Sequence, residues 1–279
     1  MAKKTGFQRP RTVTILCLIS LVFFILFAVF VPVLGLSPTT IHPDSALLGP
    51  FSIANNHFFV LGTDDLGRDL VARLAVGAQV SLLIGIATAI FSVAIGTFYG
   101  TVSALSSAKV DTVLMRIVDI IYALPGLMVV ILFSVFLGRG VLSLVLALTL
   151  FSWPDTARLI RGQVLALKQQ DYVEAFHSLG GPVFRLVWVH LLPNAVEFII
   201  LSAAVTIPRA VLTESTLSFI GLGVEPPLSS WGSLASEGWQ LARVAPHLLI
   251  LPASCIFIAM VALNLLGDRL RIKASPKEA

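Results

Sequence analysis

Long apolar runs with few charges, separated by polar segments, dominate this chain. The runs cover residues 12–34, 80–104, 119–139, 139–155, 193–212 and 244–267. A membrane-spanning helix needs about 20 apolar residues, so the pattern predicts six transmembrane helices, the fourth of which is either short or extends past Asp155. The apolar residues come in unbroken runs and do not alternate with polar ones, which argues against a transmembrane β-barrel.

The composition supports a membrane protein and nearly excludes a soluble enzyme. Of the 279 residues, 57% are hydrophobic and only 12% are charged, and the mean hydropathy is +0.94. Soluble domains carry about 25% charged residues. Cys17 and Cys255 both lie in apolar runs, so we expect neither a disulfide framework nor a metal site. The first apolar run is too long for a signal peptide and is interpreted as an uncleaved span.

Basic residues predict the orientation, because Lys and Arg accumulate in cytoplasmic loops. With the N-terminus inside, the outer segments hold four of them and Arg209 lies within a span. Both termini are therefore expected in the cytoplasm, and the net charge of +4 needs no nucleic-acid partner. The inner segments hold the other fourteen, namely Lys3, Lys4, Arg9, Arg11, Lys109, Arg116, Arg158, Arg161, Lys168, Arg185, Arg269, Arg271, Lys273 and Lys277, against Arg68, Arg73, Arg139 and Arg243 outside.

The largest predicted cytoplasmic loop, residues 155–192, contains the signals of a short helix. Asp171 is predicted to cap it in a capping box with Glu174, Gly180 to end it in a left-handed turn, and Pro182 to open the next helix. The helix, Tyr172 to Leu179, would present Tyr172, Phe176 and Leu179 on one face. Such a face fits a groove in another protein, and the alternative is a helix that lies on the membrane surface.

Charges inside the fifth apolar run or just after it are further candidates, because a charge at membrane depth is costly and usually faces a partner or a water-filled cavity. These charges are Glu197, Arg209 and Glu214. We expect Arg209 and Glu214 to border a translocation path or an outer gate, with Phe219 nearby and Gly221 and Gly223 forming a tight turn behind them. The alternative for Arg209 is snorkelling to the outer interface. Arg116 and Asp119 are expected to pair on one helix face.

The polar segment Gly62-Thr63-Asp64-Asp65-Leu66-Gly67-Arg68-Asp69 is acidic enough to suggest a metal site. A calcium loop counted from Asp64 would need Glu at its twelfth position, where Ala75 stands. We therefore expect a structural role, in which Thr63 or Asp64 caps a short helix and Arg68 pairs with an Asp. Leu70, Val71, Leu74 and Ala75 would then form an apolar face on the outer membrane surface. Contact with another protein outside the membrane is the alternative.

Four segments together resemble the permease subunits of ABC importers. Glu174-Ala175-Phe176, followed by Gly180 and Leu192-Pro193, resembles the "EAA" loop of that family, although Phe176 and His190 depart from its general pattern. The other three segments resemble the dipeptide, oligopeptide and nickel branch, specifically its second permease subunit. They are the Gly62–Asp69 segment, similar to "GTDxxGRD", the stretch from Glu214 through Trp231 to Gly232, and Asn264 to Arg271.

This resemblance implies an all-α, six-helix, MetI-like permease fold in a bacterial inner membrane. It divides the chain into an N-terminal span at 1–36, an extracytoplasmic segment at 37–78 and a five-helix core at 79–279. It also implies a second homologous permease, two ATPase subunits and an extracytoplasmic binding protein as partners. The EAA-type helix would dock the ATPase through Asp171, Tyr172, Glu174, Ala175, Phe176, Leu179 and Gly180.

No ATP-binding loop and no catalytic set is recognisable in the sequence. A phosphate-binding P-loop needs a Gly-Lys pair, and no such pair occurs, so ATP and Mg²⁺ are expected on the partner ATPases and no cofactor on this chain. A secondary transporter would also fit six spans with charges inside them, but it should show internal repeats, and none is evident. Two more functions stay open, namely a membrane enzyme and an importer subunit for nickel or another small solute.

Overall fold

The computed structural model describes residues 11–33, 35–54 and 57–274, and most of them are helical. The predicted inner residues Lys3, Lys4, Arg9 and Lys277 lie outside the described residues. The helices are α1 Arg11–Val33, α2 Leu70–Leu105, α3 Ala108–Ala123, α4 Gly126–Leu137, α5 Val141–Lys168, α6 Asp171–Ser178, α7 Val183–Arg185, α8 Leu192–Phe219, α9 Trp231–Gln240 and α10 His247–Ala274, with a short 3-10 helix at Pro43–Ser45.

The all-α prediction omits one small hairpin. Strands β1 (Ser52–Ala54) and β2 (His57–Phe59) pair antiparallel, with Ser52 opposite Phe59. Both lie in the polar connection between α1 and α2, within the predicted extracytoplasmic segment at 37–78. Three residues per strand are too few to show an alternating pattern in the sequence.

Helices occupy all six predicted places, but they do not give six simple spans. Four helical segments are long and apolar enough to cross a membrane, or five if the pair α3 and α4, bent by 84°, is counted as one. Leu124 and Pro125 lie at that bend. Pro125 explains the break, because the residue before a proline is disfavoured in helical conformation. Helix α5 is not among the five, and it extends past Asp155 to Lys168.

Helix α2 is the centre of the bundle, and its glycines allow close packing. A side chain at Gly96 would lie 2.5 Å from Thr156 Cβ, and one at Gly100 would lie 2.4 Å from the Ala157 carbonyl oxygen. Gly96 and Gly100 therefore form a Gly-xxx-Gly contact of the kind that brings membrane helices together. The hydroxyls of Thr156 and Ser202, 2.5 Å apart, join α5 to α8.

The two ends of α2 belong to different apolar clusters. Leu70 and Leu74, at its beginning, pack with Phe24, Trp231 and Leu248. At its other end Ala104 packs with Ile160 and Val164 of α5, Val173 of α6, and Leu186 and Leu191. The 36 residues of α2 make a helix about 54 Å long. That length exceeds the hydrocarbon thickness of about 30 Å, so α2 is long enough to cross a membrane.

A π-helical turn at Leu186–Leu191 connects α7 to α8. Together they form one helical segment from Val183 to Phe219 that continues through Pro208. Pro182 was predicted at the first position of this helix, but it lies one residue earlier, in extended conformation at the cap.

Candidate functional site

Helix α6 forms where the sequence predicts it, with a different N-terminal cap. Asp171 is its first residue, and the backbone carbonyl of Gln170 accepts from the amides of Val173 and Glu174. Gln170 therefore occupies the cap position, and the prediction of Asp171 as the cap is wrong by one residue. At the other end Gly180 has φ +73° and the Gly181 amide donates to the Phe176 carbonyl at 3.1 Å. The predicted left-handed stop at Gly180 is confirmed.

One face of α6 is fixed to the body of the protein. Val173 is 2% exposed and packs in the cluster with Ala104. Phe176 packs against the same cluster, and its ring lies 5.1 Å from the His190 ring in an edge-on contact. The Tyr172 ring lies 6.2 Å from the same imidazole. The two residues that depart from the general EAA pattern, Phe176 and His190, thus contact each other.

The opposite face of α6 is exposed and carries no described ion pair. Leu179 is 88% exposed, so the predicted row of Tyr172, Phe176 and Leu179 is not one continuous docking face. We call the exposed part of this helix the α6 surface. It consists of Asp171, Tyr172, Glu174, Ala175, Ser178, Leu179 and Gly180.

At the other end of α2 the Gly62–Asp69 segment folds around the buried carboxylate of Asp64. Its Oδ1 accepts from the amides of Leu66 and Arg68, both at 2.9 Å. Its Oδ2 accepts from Arg68 Nε at 2.6 Å and Arg73 Nη1 at 2.7 Å. The predicted pairing of Arg68 with an Asp is confirmed. Thr63, also buried, donates to the Ser45 carbonyl and accepts from the Leu48 amide.

Two details of the prediction for this segment are wrong. Asp69, not Thr63 or Asp64, caps the following helix, since its side chain accepts from the Val71 amide at 2.7 Å. That helix is not short and does not lie on the membrane surface, because it is the beginning of α2. Leu70, Leu74 and Ala75 are at most 2% exposed and face the protein interior.

Arg73 connects this segment to α9. Its guanidinium donates to both carboxylate oxygens of Glu237, at 2.6 and 3.1 Å, as well as to Asp64. We call Asp64, Arg68, Arg73 and Glu237 the Arg73 network. Asp64, Asp65 and Glu237 are close enough together to suggest a metal site, but the two arginines already bind Asp64, and Arg73 binds Glu237 in addition.

The two charges predicted to border a common path lie apart. Glu214 has no exposed surface and accepts from the hydroxyls of Ser218 at 2.7 Å, Ser81 at 3.0 Å and Ser215 at 3.4 Å. Arg209 is 68% exposed and donates to Asp155 Oδ2 at 2.9 Å. In this structure only Arg209 borders an open surface, because the helix continues past Pro208 and the two residues point to different faces.

Asp155 is the centre of a larger polar group. It also accepts from the Tyr122 hydroxyl of α3. The Arg158 guanidinium lies 4.2 Å over the Tyr122 ring and donates to Asp119 at 2.5 Å. The predicted Arg116–Asp119 pair exists at 3.9 Å, but Arg158 is the nearer partner. We call Asp119, Tyr122, Asp155, Arg158 and Arg209 the charge cluster.

The end of α8 has the predicted glycine turn. Gly221 has φ +84°, and the amides of Gly221 and Leu222 donate to the carbonyls of Ser218 and Leu217, which closes a Schellman motif. Gly223 touches the Ser218 side chain so closely that a Cβ would lie 1.9 Å from its hydroxyl. Phe219, 39% exposed, contacts the Trp239 ring.

Sequence reasoning missed Asp155, Tyr122, Arg73, Glu237 and Ser81 as members of these groups. Asp155 was interpreted as the end of a span, although it lies in the middle of α5. The signal that could have identified Asp155 is its position as a single acidic residue within an apolar segment. Glu237 and Ser81 carry no comparable local signal.

The comparison with known families gives one match over well over half of the chain. Residues 92–275 match the family described as binding-protein-dependent transport system inner membrane component. The described helices long enough to span a membrane agree with a multi-pass membrane protein.

Similar proteins include permeases of peptide systems. The oligopeptide transport system permease protein OppC of Bacillus subtilis (strain 168) is 40% identical over 269 residues, covering 96% of this chain and 87% of that protein. The dipeptide transport system permease protein DppC of the same organism is 39% identical over 259 residues, covering 91% and 80%. The glutathione transport system permease protein GsiD of Pectobacterium atrosepticum is 37% identical over 217 residues, covering 78% and 72%.

Among solved structures, the inward-facing MetNI methionine ABC transporter in its native crystal form is similar. It gives a TM-score of 0.59 at 20% identity, covering 72% of this chain and 95% of that one. At this identity the similarity concerns the fold alone.

Proposed function

Because this chain belongs to the family of binding-protein-dependent transport system inner membrane components, we propose that it forms half of the translocation path of an ATP-driven peptide importer and docks an ATPase through α6. The names of OppC, DppC and GsiD support peptides as the cargo. A second, homologous permease would form the other half of the path.

The observation that carries this proposal is the α6 surface at one end of α2. Val173 and Phe176 fix the inner face of α6 to the ends of α2, α5 and α8. A movement of α6 would therefore be transmitted to three long helices. A helix fixed on one face and exposed on the other has the form of a docking element.

The distribution of basic residues supports a cytoplasmic location for the α6 end. Lys109, Arg161, Lys168 and Arg185 lie near this end, as expected for the cytoplasmic side. At the opposite end Arg68 and Arg73 are paired with acidic residues of the Arg73 network. That end would face the extracytoplasmic binding protein.

The charge cluster indicates which face borders the path. Asp155 lies in the middle of α5 and Arg209 in the second half of α8, and both are about half or more exposed, at 48% and 68%. Charged side chains at such depth are too costly to face lipid and line a cavity or a partner instead. This face of α5 and α8 would border the path between the two permeases.

Coupling, not catalysis, is the role of this chain. The sequence has no Gly-Lys pair for a P-loop, so two separate ATPase subunits would hydrolyse ATP. Closure of the ATPases would move α6, and the attached helices would re-orient to expose the path on the other side of the membrane.

Co-purification of a tagged chain tests this proposal. Glu174→Lys, on the α6 surface, is expected to lose most of the ATPase that the unchanged chain retains. Glu225→Lys is the matched control, since this carboxylate is also exposed but follows the end of α8 far from α6. Equal retention in both variants, or full transport by the purified chain without an ATPase, would contradict the proposal.

A further inference from the structure

The charge cluster has a property that docking and coupling do not explain. It joins three helices, since Asp119 and Tyr122 lie on α3, Asp155 and Arg158 on α5, and Arg209 on α8. The carboxylate groups and guanidinium groups in it are 46% to 68% exposed. An ion pair that only joins helices needs no open side, whereas these groups keep one.

Both members of the central pair retain free bonding capacity towards the open side. A guanidinium carries five N–H donors, and Arg209 has one described hydrogen bond, from Nη1 to Asp155. Asp155 accepts one described bond at each oxygen, and each carboxylate oxygen has a second lone pair. The Arg209 guanidinium and the Asp155 carboxylate therefore lie side by side on the open surface, each with bonding capacity for a ligand.

A peptide fits this chemistry, because its ionised amino and carboxyl groups have opposite signs. We propose that Asp155 and Arg209 form a cargo-facing charge pair that contacts the ionised groups of passing peptides and sets the charge selectivity of the path. This inference rests on the proposed function. It adds a specificity role in the membrane, beyond any selection by the binding protein.

Removal of one charged residue of the pair should make the path favour peptides of one charge over peptides of the other. In Asp155→Asn, Arg209 loses its partner and the surface becomes more positive, which disfavours cationic cargo. In Arg209→Gln, Asp155 remains and the bias is reversed. The double variant Asp155→Asn with Arg209→Gln removes both charges. Its ratio of cationic to anionic peptide uptake should return towards that of the unchanged protein.

The experiment is uptake by the complete importer, reconstituted in liposomes with its binding protein and ATPases. The probes are Ala-Lys-Ala and Ala-Asp-Ala, which have equal length and differ in net charge. The binding protein is the same throughout, so its preference cancels when the Lys-to-Asp uptake ratio is compared between variants. We expect the ratio to fall about fivefold in Asp155→Asn and to rise about fivefold in Arg209→Gln, a change of about 1 kcal/mol.

Glu197→Gln is the matched control. It makes the same carboxylate-to-amide change at an exposed position of α8, twelve residues or about 18 Å from Arg209, and its ratio should not change. A ratio that is unchanged in both single variants of the pair, or that shifts in the same direction in both, would overturn the proposal. Failure of the unchanged importer to transport either peptide would instead count against the proposed function.

A second measurement covers variants that transport poorly. The variant Thr213→Cys places a thiol one turn from Arg209 on α8, with Cys17 and Cys255 replaced by Ala. The rates at which this thiol reacts with cationic and anionic methanethiosulfonates are compared in the assembled complex. Asp155→Asn should increase the reaction rate of the anionic reagent relative to that of the cationic one, and Arg209→Gln should decrease it. Protection from both reagents would show that a partner subunit covers this face, and it would also overturn the proposal.

Discussion

At the scale of single residues, two buried carboxylates are stabilised in different ways. Asp64 is 3% exposed and is bound by Arg68, Arg73 and two backbone amides. Glu214 has no exposed surface, and its described partners are serine hydroxyls. Asp64 thus depends on a positive charge, because a buried anion without a partner costs several kcal/mol.

Arg73→Met is expected to destabilise the protein strongly. It leaves the buried Asp64 with only Arg68 as a cation and removes both bonds to Glu237, and breaking a buried pair costs about 3–5 kcal/mol. In a protein of this size that lowers the unfolding temperature by roughly 10 °C. Thermal unfolding of the purified chain in detergent measures the change.

Glu237→Gln provides the control for Arg73→Met. Glu237 is 42% exposed, so loss of its charge should cost about 1 kcal/mol or less. An equal effect of the two changes would show that the Arg73–Glu237 pair, and not the burial of Asp64, determines the stability of this end of the molecule.

The left-handed ends of helices were predictable from the sequence, whereas the N-caps predicted for α6 and α2 were wrong. Gly180 and Gly221 end helices in left-handed turns, because only the few residues around them decide that conformation. Partners distant in sequence were not predictable. Arg73 meets Glu237 across 164 residues and Arg209 meets Asp155 across 54, and such pairs form only when the helices have packed.

At the scale of elements, the start of α2 shows how a charge misleads sequence reasoning. Arg73 appeared to end the apolar run, so the predicted span began at Val80 and the residues before it were predicted as a surface helix. The structure has one continuous helix from Leu70 to Leu105. Its first turns lie inside the protein because Asp64 and Glu237 neutralise Arg73.

Gly100→Val tests the contact between α2 and α5. A Cβ there would lie 2.4 Å from the Ala157 carbonyl oxygen and 3.0 Å from the Arg161 amide, both of which are backbone atoms that cannot turn aside. Overpacking typically costs about 1–3 kcal/mol, and here the two helices must also move apart. We expect a lower unfolding temperature and less folded protein by size-exclusion chromatography.

Gly162→Ala is the matched control for this contact. Gly162 lies in α5 with nothing within 4 Å of a Cβ, and Ala is favoured over Gly in a helix by about 1 kcal/mol. Unchanged or slightly higher stability is therefore expected. If Gly100→Val were as stable as Gly162→Ala, the close contact of α2 with α5 would not contribute to the fold.

At the scale of the whole molecule, the family and the helical fold were predictable, whereas the span count was less so. The family match and the similar permeases confirm the resemblance that the four motifs indicate. Six apolar runs predicted six spans, but Asp155, Arg158 and Arg161 lie inside α5 and the third run is bent at Pro125. Hydropathy alone does not count such helices, since their charges are compensated by partners in other helices.

Docking of an ATPase by α6 requires that the α6 end of α2 faces the cytoplasm and that the ATPase contacts the α6 surface. Cysteine cross-linking in the assembled importer tests both at once, with Cys17 and Cys255 replaced by Ala. Ala175→Cys, exposed on α6, and Glu225→Cys, exposed beyond the end of α8, are each treated with a short bifunctional maleimide. We predict that Ala175→Cys cross-links to the ATPase and that Glu225→Cys does not. A cross-link from Glu225→Cys to the ATPase, with none from Ala175→Cys, would contradict the account.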